Sequence, residues 1–130
     1  MKIIVVDDEP VIADTLVNIL EGEGHDALAV SNGESAIKFV QMMHPAWPDL
    51  LVTDVIMPGM DGVETAKEML RLAPGCRIIL FSGQVASSDL LLKAKAEGYC
   101  FEILPKPVNP DILLAAINRV QANVAGSVAS

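Results

Sequence analysis

The sequence predicts one α/β domain built on a parallel β-sheet. Short apolar runs of strand length alternate with longer stretches whose apolar residues recur at helical spacing, which is typical of strands joined by crossover helices. The length of 130 residues fits a single domain. We expect that domain over residues 1–123, followed at 124–130 by small residues that form a flexible tail or the stub of a linker.

Five strands are expected from five apolar runs. The first run is continuous and rich in β-branched side chains, as in a central parallel strand that is covered on both faces. The other runs are also short, and each stops at polar or turn residues. The predicted strands span residues 3–6, 27–30, 50–53, 77–81 and about 101–104.

Five helices are expected between and after these strands. Pro10 suits the first turn of the first helix, and Pro45 stops the second. Ser87 or Ser88 can cap the fourth helix, and Gly98 can end it. The predicted helices span residues 10–22, about 36–43, 63–73, 87 or 88 to 97, and 110 to about 123.

Composition excludes several classes of function. Seventeen acidic residues against nine basic ones give a net charge of −8, which disfavours direct binding to nucleic acid or to anionic lipid. No apolar run approaches the roughly 18 residues that a membrane span needs. Two cysteines and two histidines lack the spacing of a disulfide framework or a zinc site. We therefore expect a cytoplasmic protein that binds neither nucleic acid nor membrane.

Polar side chains follow four of the predicted strands. Asp7 and Asp8 follow the first strand, Asp54 the third, Ser82 the fourth and Lys106 the fifth. In an open parallel sheet, the carboxyl ends of the strands border the ligand crevice. Crowded carboxylates need a cation, and oxygen ligands suit Mg²⁺. A lysine and a hydroxyl beside the metal suit phosphoryl oxygens, and a carboxylate there can act as a nucleophile.

These residues and three short motifs carry a family resemblance. The motifs are residues 57–62, which follow Asp54, then Ser82-Gly83 and Lys106-Pro107. Over residues 2–122 the sequence resembles the receiver domain of bacterial two-component response regulators. The resemblance implies a doubly wound, flavodoxin-like sheet of strand order 2-1-3-4-5. It also implies that Asp54 is the phosphoacceptor, which takes a phosphoryl group from a phosphohistidine on a histidine kinase or a histidine phosphotransfer protein.

The resemblance also implies roles for the other site residues. Asp8 and Asp54 would bind Mg²⁺ directly, and Asp7 would do so through water. The backbone carbonyl of Ile56 would complete the protein ligands, while Ser82 and Lys106 would contact the phosphoryl oxygens. Such a domain promotes its own Mg²⁺-dependent phosphorylation and dephosphorylation and is not a metabolic enzyme.

The output of the domain is open at this stage. The position that is usually aromatic in the family, three residues before the lysine, is Ile103; Phe101 lies two residues earlier on the same face of the strand. One hypothesis is that the domain signals to another protein through the face formed by the fourth helix, fifth strand and fifth helix. The sequence contains no effector domain after residue 124, so we expect a separate partner unless the chain is a fragment of a longer regulator. The alternative is an interaction domain of the same fold that ignores phosphorylation. The Lys106–Pro107 bond is either cis or trans.

Two residues are expected beside the path of the water that would hydrolyse an acyl phosphate. Ile56 lies two positions after Asp54, and Gln84 lies two positions after Ser82. Only Gln84 can form a hydrogen bond to that water, so we expect a comparatively long-lived phosphoryl group.

Overall fold

Five parallel strands form the sheet of the computed structural model, which describes residues 1–83 and 88–129, with side chains described through residue 121 except at residue 88. The strand order is β2-β1-β3-β4-β5, so the predicted doubly wound topology is confirmed. Each strand begins and ends within one residue of its predicted position. The strands are β1 (Lys2–Val6), β2 (Asp26–Val30), β3 (Leu50–Asp54), β4 (Arg77–Ser82) and β5 (Glu102–Pro105).

Five helices connect and follow the strands. They are α1 (Pro10–Gly22), α2 (Gly33–Met43), α3 (Gly62–Leu72), α4 (Ser88–Ala96) and α5 (Pro110–Ala129). Helix α2 begins three residues earlier than expected because Asn32 is its N-cap and accepts a hydrogen bond from the Ser35 amide. Ser87, the other candidate cap of α4, lies outside the described residues. None of the described helices combines the length and the apolar character that a membrane crossing requires.

The length of α5 is a correction to the sequence prediction. The helix was expected to end at about Asn123, but it continues to Ala129. Alanine has the highest helix propensity of all residues, and the alanines in this stretch favour continuation of the helix over the single Gly126. The small side chains of this stretch therefore do not end the helix.

Two apolar layers cover the sheet, and alternate residues of each strand face opposite layers. Ile4, Leu51 and Leu80 pack on one face, beneath α2, α3 and α4. Their neighbours Ile3 and Leu50 pack on the other face, beneath α1 and α5. Because the central strands are buried on both faces, their register is fixed by packing, and their carboxyl ends are aligned along one edge of the sheet.

The segment before β5 departs from a simple strand. Gly98 has a φ of +97°, and the rings of Tyr99 and Phe101 are stacked with centroids 5.4 Å apart, so β5 begins only at Glu102. Phe101, just before the strand, and Ile103, within it, line the same groove beside α4. Ile103 is 45% exposed. An aliphatic side chain thus occupies the outer surface of the edge strand.

The turn from β3 into α3 is closely packed against the backbone of Asp54. The amide of Gly62 donates to the Val55 carbonyl at 2.8 Å. A Cβ atom at Gly62 would lie 2.1 Å from the Asp54 carbonyl oxygen and 2.8 Å from the Val55 Cα atom. Only glycine permits this approach without a movement of the main chain.

We therefore expect Gly62→Ala to reduce the free energy of unfolding by about 1–3 kcal/mol, because the contact is with backbone and not with a flexible side chain. Gly22→Ala is the matched control, since a Cβ there meets nothing within 4 Å. That control should be neutral or stabilising by up to about 1 kcal/mol. Urea unfolding of the three proteins measures both changes, and equal midpoints for Gly62→Ala and the parent would contradict the prediction.

Candidate functional site

Three carboxylates meet at the carboxyl ends of β1 and β3. Asp7 and Asp8 follow β1, and Asp54 is the last residue of β3. One oxygen from each side chain lies within 4.8 Å of the others. Asp7 and Asp54 are buried, whereas Asp8 is exposed. The structure therefore brings together the three acids that the sequence predicted to share one crevice.

Asp7 is the most buried of the three acids, with 1% of its surface exposed. Its Oδ1 atom accepts a hydrogen bond of 2.9 Å from the Glu9 amide, but its buried Oδ2 atom has no hydrogen-bond partner among the described residues. Burial raises the pKa of the Asp7 carboxyl; the Glu9 amide and the Lys106 charge oppose this rise, and the charges of Asp54 and Asp8 add to it. The ionised carboxylate is thus poorly compensated by the protein.

Lys106 reaches this cluster from the end of β5. Its Nζ atom donates to Asp54 Oδ2 at 2.7 Å and lies 3.7 Å from Asp7 Oδ2. Burial lowers the pKa of the Lys106 ammonium, but its hydrogen bond to Asp54 and the charges of Asp54, Asp7 and Glu9 outweigh burial and leave the pKa raised. The Lys106 ammonium therefore offsets one of the three carboxylates at neutral pH. The Lys106–Pro107 bond is cis.

The donor set fits a divalent cation. Three carboxylate oxygens converge, and the buried Oδ2 atom of Asp7 has no hydrogen-bond partner among the described residues. The ammonium of Lys106 balances one of the three negative charges, so the cluster keeps an excess of negative charge. Oxygen-only donors with this excess charge suit a hard ion such as Mg²⁺ better than a soft transition metal. The site is therefore chemically competent to hold Mg²⁺.

Ser82 and Ile56 are two further residues that the sequence predicted for the site. Ser82 is the last residue of β4, and its carbonyl oxygen accepts a hydrogen bond of 3.3 Å from the Lys106 amide. Ile56 follows Asp54 by two residues and is 51% exposed. Gln84, predicted beside the water path, lies outside the described residues. The hydroxyl and the ammonium predicted to act together thus belong to neighbouring, hydrogen-bonded strand ends.

The sequence did not predict the contact between α2 and the loop from β3 to α3. The Met60 amide donates to Glu34 Oε1 at 3.0 Å, across 26 positions of sequence. Acidic residues are common in the first turn of a helix because they complement the helix dipole. The position of Glu34 in the sequence therefore did not indicate a contact with this loop. Glu34 is therefore a neighbour of the site that only the folded structure identifies.

Comparisons with known proteins agree with the fold. A family model described as "Response regulator receiver domain" matches residues 3–118. The chain is 31% identical over 125 residues to the DNA-binding response regulator MtrA of Mycolicibacterium smegmatis, and the match covers 94% of this chain and 51% of MtrA. The chain thus spans about half the length of this curated relative.

Two solved structures show the same architecture. A response regulator receiver domain protein from Clostridium thermocellum superimposes with a TM-score of 0.84 at 29% identity, covering 95% of this chain and 96% of that one. The chemotaxis protein CheY4 of Vibrio cholerae gives a TM-score of 0.77 at 28% identity, with coverage of 92% and 97%. Both likenesses extend over nearly the whole of each chain.

The buried carboxylate of Asp7 predicts a pH-dependent cost to stability without metal. Its pKa is raised in the folded state, so the ionised form destabilises the fold as the pH rises above the ordinary value of 3.8. Asn at this position keeps an oxygen for the Glu9 amide but removes the charge. In EDTA at pH 7, we expect Asp7→Asn to raise the free energy of unfolding by about 1–3 kcal/mol, because a neutral amide costs less to bury than an ionised carboxylate.

The gain should shrink as the pH falls toward 3.8, where the parent carboxyl becomes protonated in both states. Urea unfolding at several pH values measures this dependence. Asp14→Asn, at an exposed position of α1, is the control and should change stability by less than about 0.5 kcal/mol. An Asp7→Asn protein that is less stable than the parent in EDTA would refute the argument.

Proposed function

The chain belongs to the family of response regulator receiver domains, and from this premise we propose that it is phosphorylated on Asp54. Receiver domains accept phosphoryl groups from histidine kinases, so the donor proposed here is a phosphohistidine on a kinase or a phosphotransfer protein. The observation that carries the proposal is the hydrogen bond of 2.7 Å from Lys106 Nζ to Asp54 Oδ2, set between two further carboxylates.

The surroundings of each acid favour Asp54 as the nucleophile. Asp7 is buried and its Oδ1 atom is engaged by the Glu9 amide, whereas Asp8 is exposed. Asp54 lies between these extremes, and Lys106 orients its carboxylate by holding Oδ2. Oδ1 of Asp54 then attacks phosphorus as the phosphorus–nitrogen bond of the donor breaks and its electron pair returns to the imidazole. The product is an acyl phosphate on Asp54.

Mg²⁺ is the proposed cofactor, because the family typically binds it at acidic residues and the donor set suits it. We assign Asp8 and Asp54 as direct ligands, Asp7 as a ligand through water, and Ile56 as a ligand through its backbone carbonyl. When bound, Mg²⁺ supplies positive charge that reduces repulsion between the carboxylates and the phosphoryl oxygens.

Ser82 and Lys106 are the proposed contacts of the phosphoryl group. A backbone hydrogen bond from the Lys106 amide to the Ser82 carbonyl joins their strand ends, which supports a shared role for the two residues. After transfer, the Lys106 ammonium can donate to a phosphoryl oxygen instead of to Asp54, and the Ser82 hydroxyl can donate to another. The new dianion thus draws the ends of β4 and β5 toward Asp54.

The proposed output surface is formed by α4, β5 and α5, and reaches either another protein or a further part of a longer chain. A groove between α4 and β5 has a volume of about 310 Å³ and includes Leu92 and Ile103, both exposed. Ile103 also favours a second candidate function, an interaction domain whose surface does not respond to phosphorylation. The family usually has an aromatic ring at this position, which changes between exposed and buried states, and isoleucine supplies no such ring.

Phosphorylation is tested directly by incubation with acetyl phosphate and Mg²⁺ followed by intact mass. We expect the parent to gain one phosphoryl group and Asp54→Asn to gain none, because the attacking carboxylate is removed. EDTA should also suppress the gain. Asp14→Asn, at an exposed position on α1, should behave like the parent. A phosphoryl group on Asp54→Asn would show that another residue is the acceptor.

Binding of Mg²⁺ to the folded state alone should stabilise the protein. We expect millimolar Mg²⁺ to raise the melting temperature of the parent by about 2–8 °C, which corresponds to roughly 1 kcal/mol for a domain near this size. Asp8→Ala should lose most of this increment, whereas Asp14→Ala should keep it. Differential scanning calorimetry with and without Mg²⁺ makes the comparison; an undiminished response in Asp8→Ala would exclude Asp8 as a main ligand.

A further inference from the structure

The loop between β3 and α3, residues 55–61, contains the backbone that follows Asp54. Its first residue is held by the sheet, since the Val55 amide donates to the Phe81 carbonyl at 3.1 Å. Its last residue, Asp61, is held by the reciprocal capping box with Glu64. Within the described part of the chain, one hydrogen bond joins the backbone of residues 56–60 to a different element: the bond from the Met60 amide to Glu34 of α2.

Helix α2 is built to make this contact. The side chain of Asn32 caps the helix through the Ser35 amide at 2.7 Å, so the Glu34 carboxylate is not required for capping. Two glycines allow the close approach. A Cβ at Gly33 would lie 2.1 Å from Thr65 Oγ1 of α3, and a Cβ at Gly59 would lie 3.0 Å from Glu34 Oε1. The φ of +75° at Gly59 also requires glycine.

We infer that Glu34 is a positioning residue for the Mg²⁺ site, which acts by holding residues 56–60, the segment that carries the Ile56 carbonyl. The inference rests on the proposed function, in which that carbonyl is a metal ligand. A ligand carried by an ordered loop loses less conformational freedom on binding than one carried by a mobile loop. Glu34 contributes this order from outside the carboxylate cluster, by a single bond to Met60.

The bond predicts a graded effect of two substitutions. Glu34→Ala removes the acceptor, and we expect the Kd for Mg²⁺, measured by calorimetric titration, to rise by about threefold to tenfold. Glu34→Gln keeps an amide oxygen that can accept from the same amide, so its Kd should stay near that of the parent. Glu21→Ala, at an exposed position near the end of α1, is the control and should also match the parent.

Hydrogen exchange of the Met60 amide supplies a second measurement that needs no metal. Exchange should accelerate in Glu34→Ala and remain at the parent rate in Glu34→Gln. A Glu34→Ala protein with the Kd of the parent would overturn the role of Glu34 while leaving the metal site intact. A Glu34→Gln protein as weak as Glu34→Ala would assign the effect to charge and overturn the inference. A parent that binds no Mg²⁺ would overturn the proposed metal site itself.

Discussion

The ion pair between Lys106 and Asp54 is the interaction on which the site depends. Its partners are 52 positions apart in sequence and stand at the ends of β5 and β3, with β4 between them. The lysine stem must therefore cross the end of β4, where Gly83 leaves room: a Cβ at Gly83 would lie 3.1 Å from the Lys106 Cβ atom. The strand order, the register and one small residue together bring the ammonium to the carboxylate.

The buried charge of Asp7 lowers the stability of the metal-free fold. Lys106 offsets one carboxylate, but the buried Oδ2 atom of Asp7 has no hydrogen-bond partner among the described residues. A core that favoured stability alone would place an apolar or neutral side chain at this position. The retained charge favours a positive ion nearby, so the buried carboxylate of Asp7 that weakens the metal-free fold would add to the affinity for the proposed Mg²⁺.

Much of the architecture could be predicted from sequence because local signals agreed with tertiary packing. The β-branched run of β1 and the glycine after α4 gave boundaries that the structure confirms, and the family motifs gave the strand order. The spacing of Asp7, Asp8 and Asp54 predicted their convergence. The orphaned oxygen of Asp7 and the bond between Glu34 and Met60 could not be predicted, because both depend on how elements distant in sequence pack together.

The close approach of Gly62 to the Asp54 carbonyl has a mechanical consequence. With no side chain between them, α3 abuts the main chain of Asp54, so this contact cannot shorten without overlap of the two main chains. The Asp54 carboxylate, by contrast, contacts the long, rotatable side chain of Lys106. A displacement of Asp54 toward α3 is therefore opposed by overlap of main chains, whereas the Lys106 side chain can follow the carboxylate by rotation.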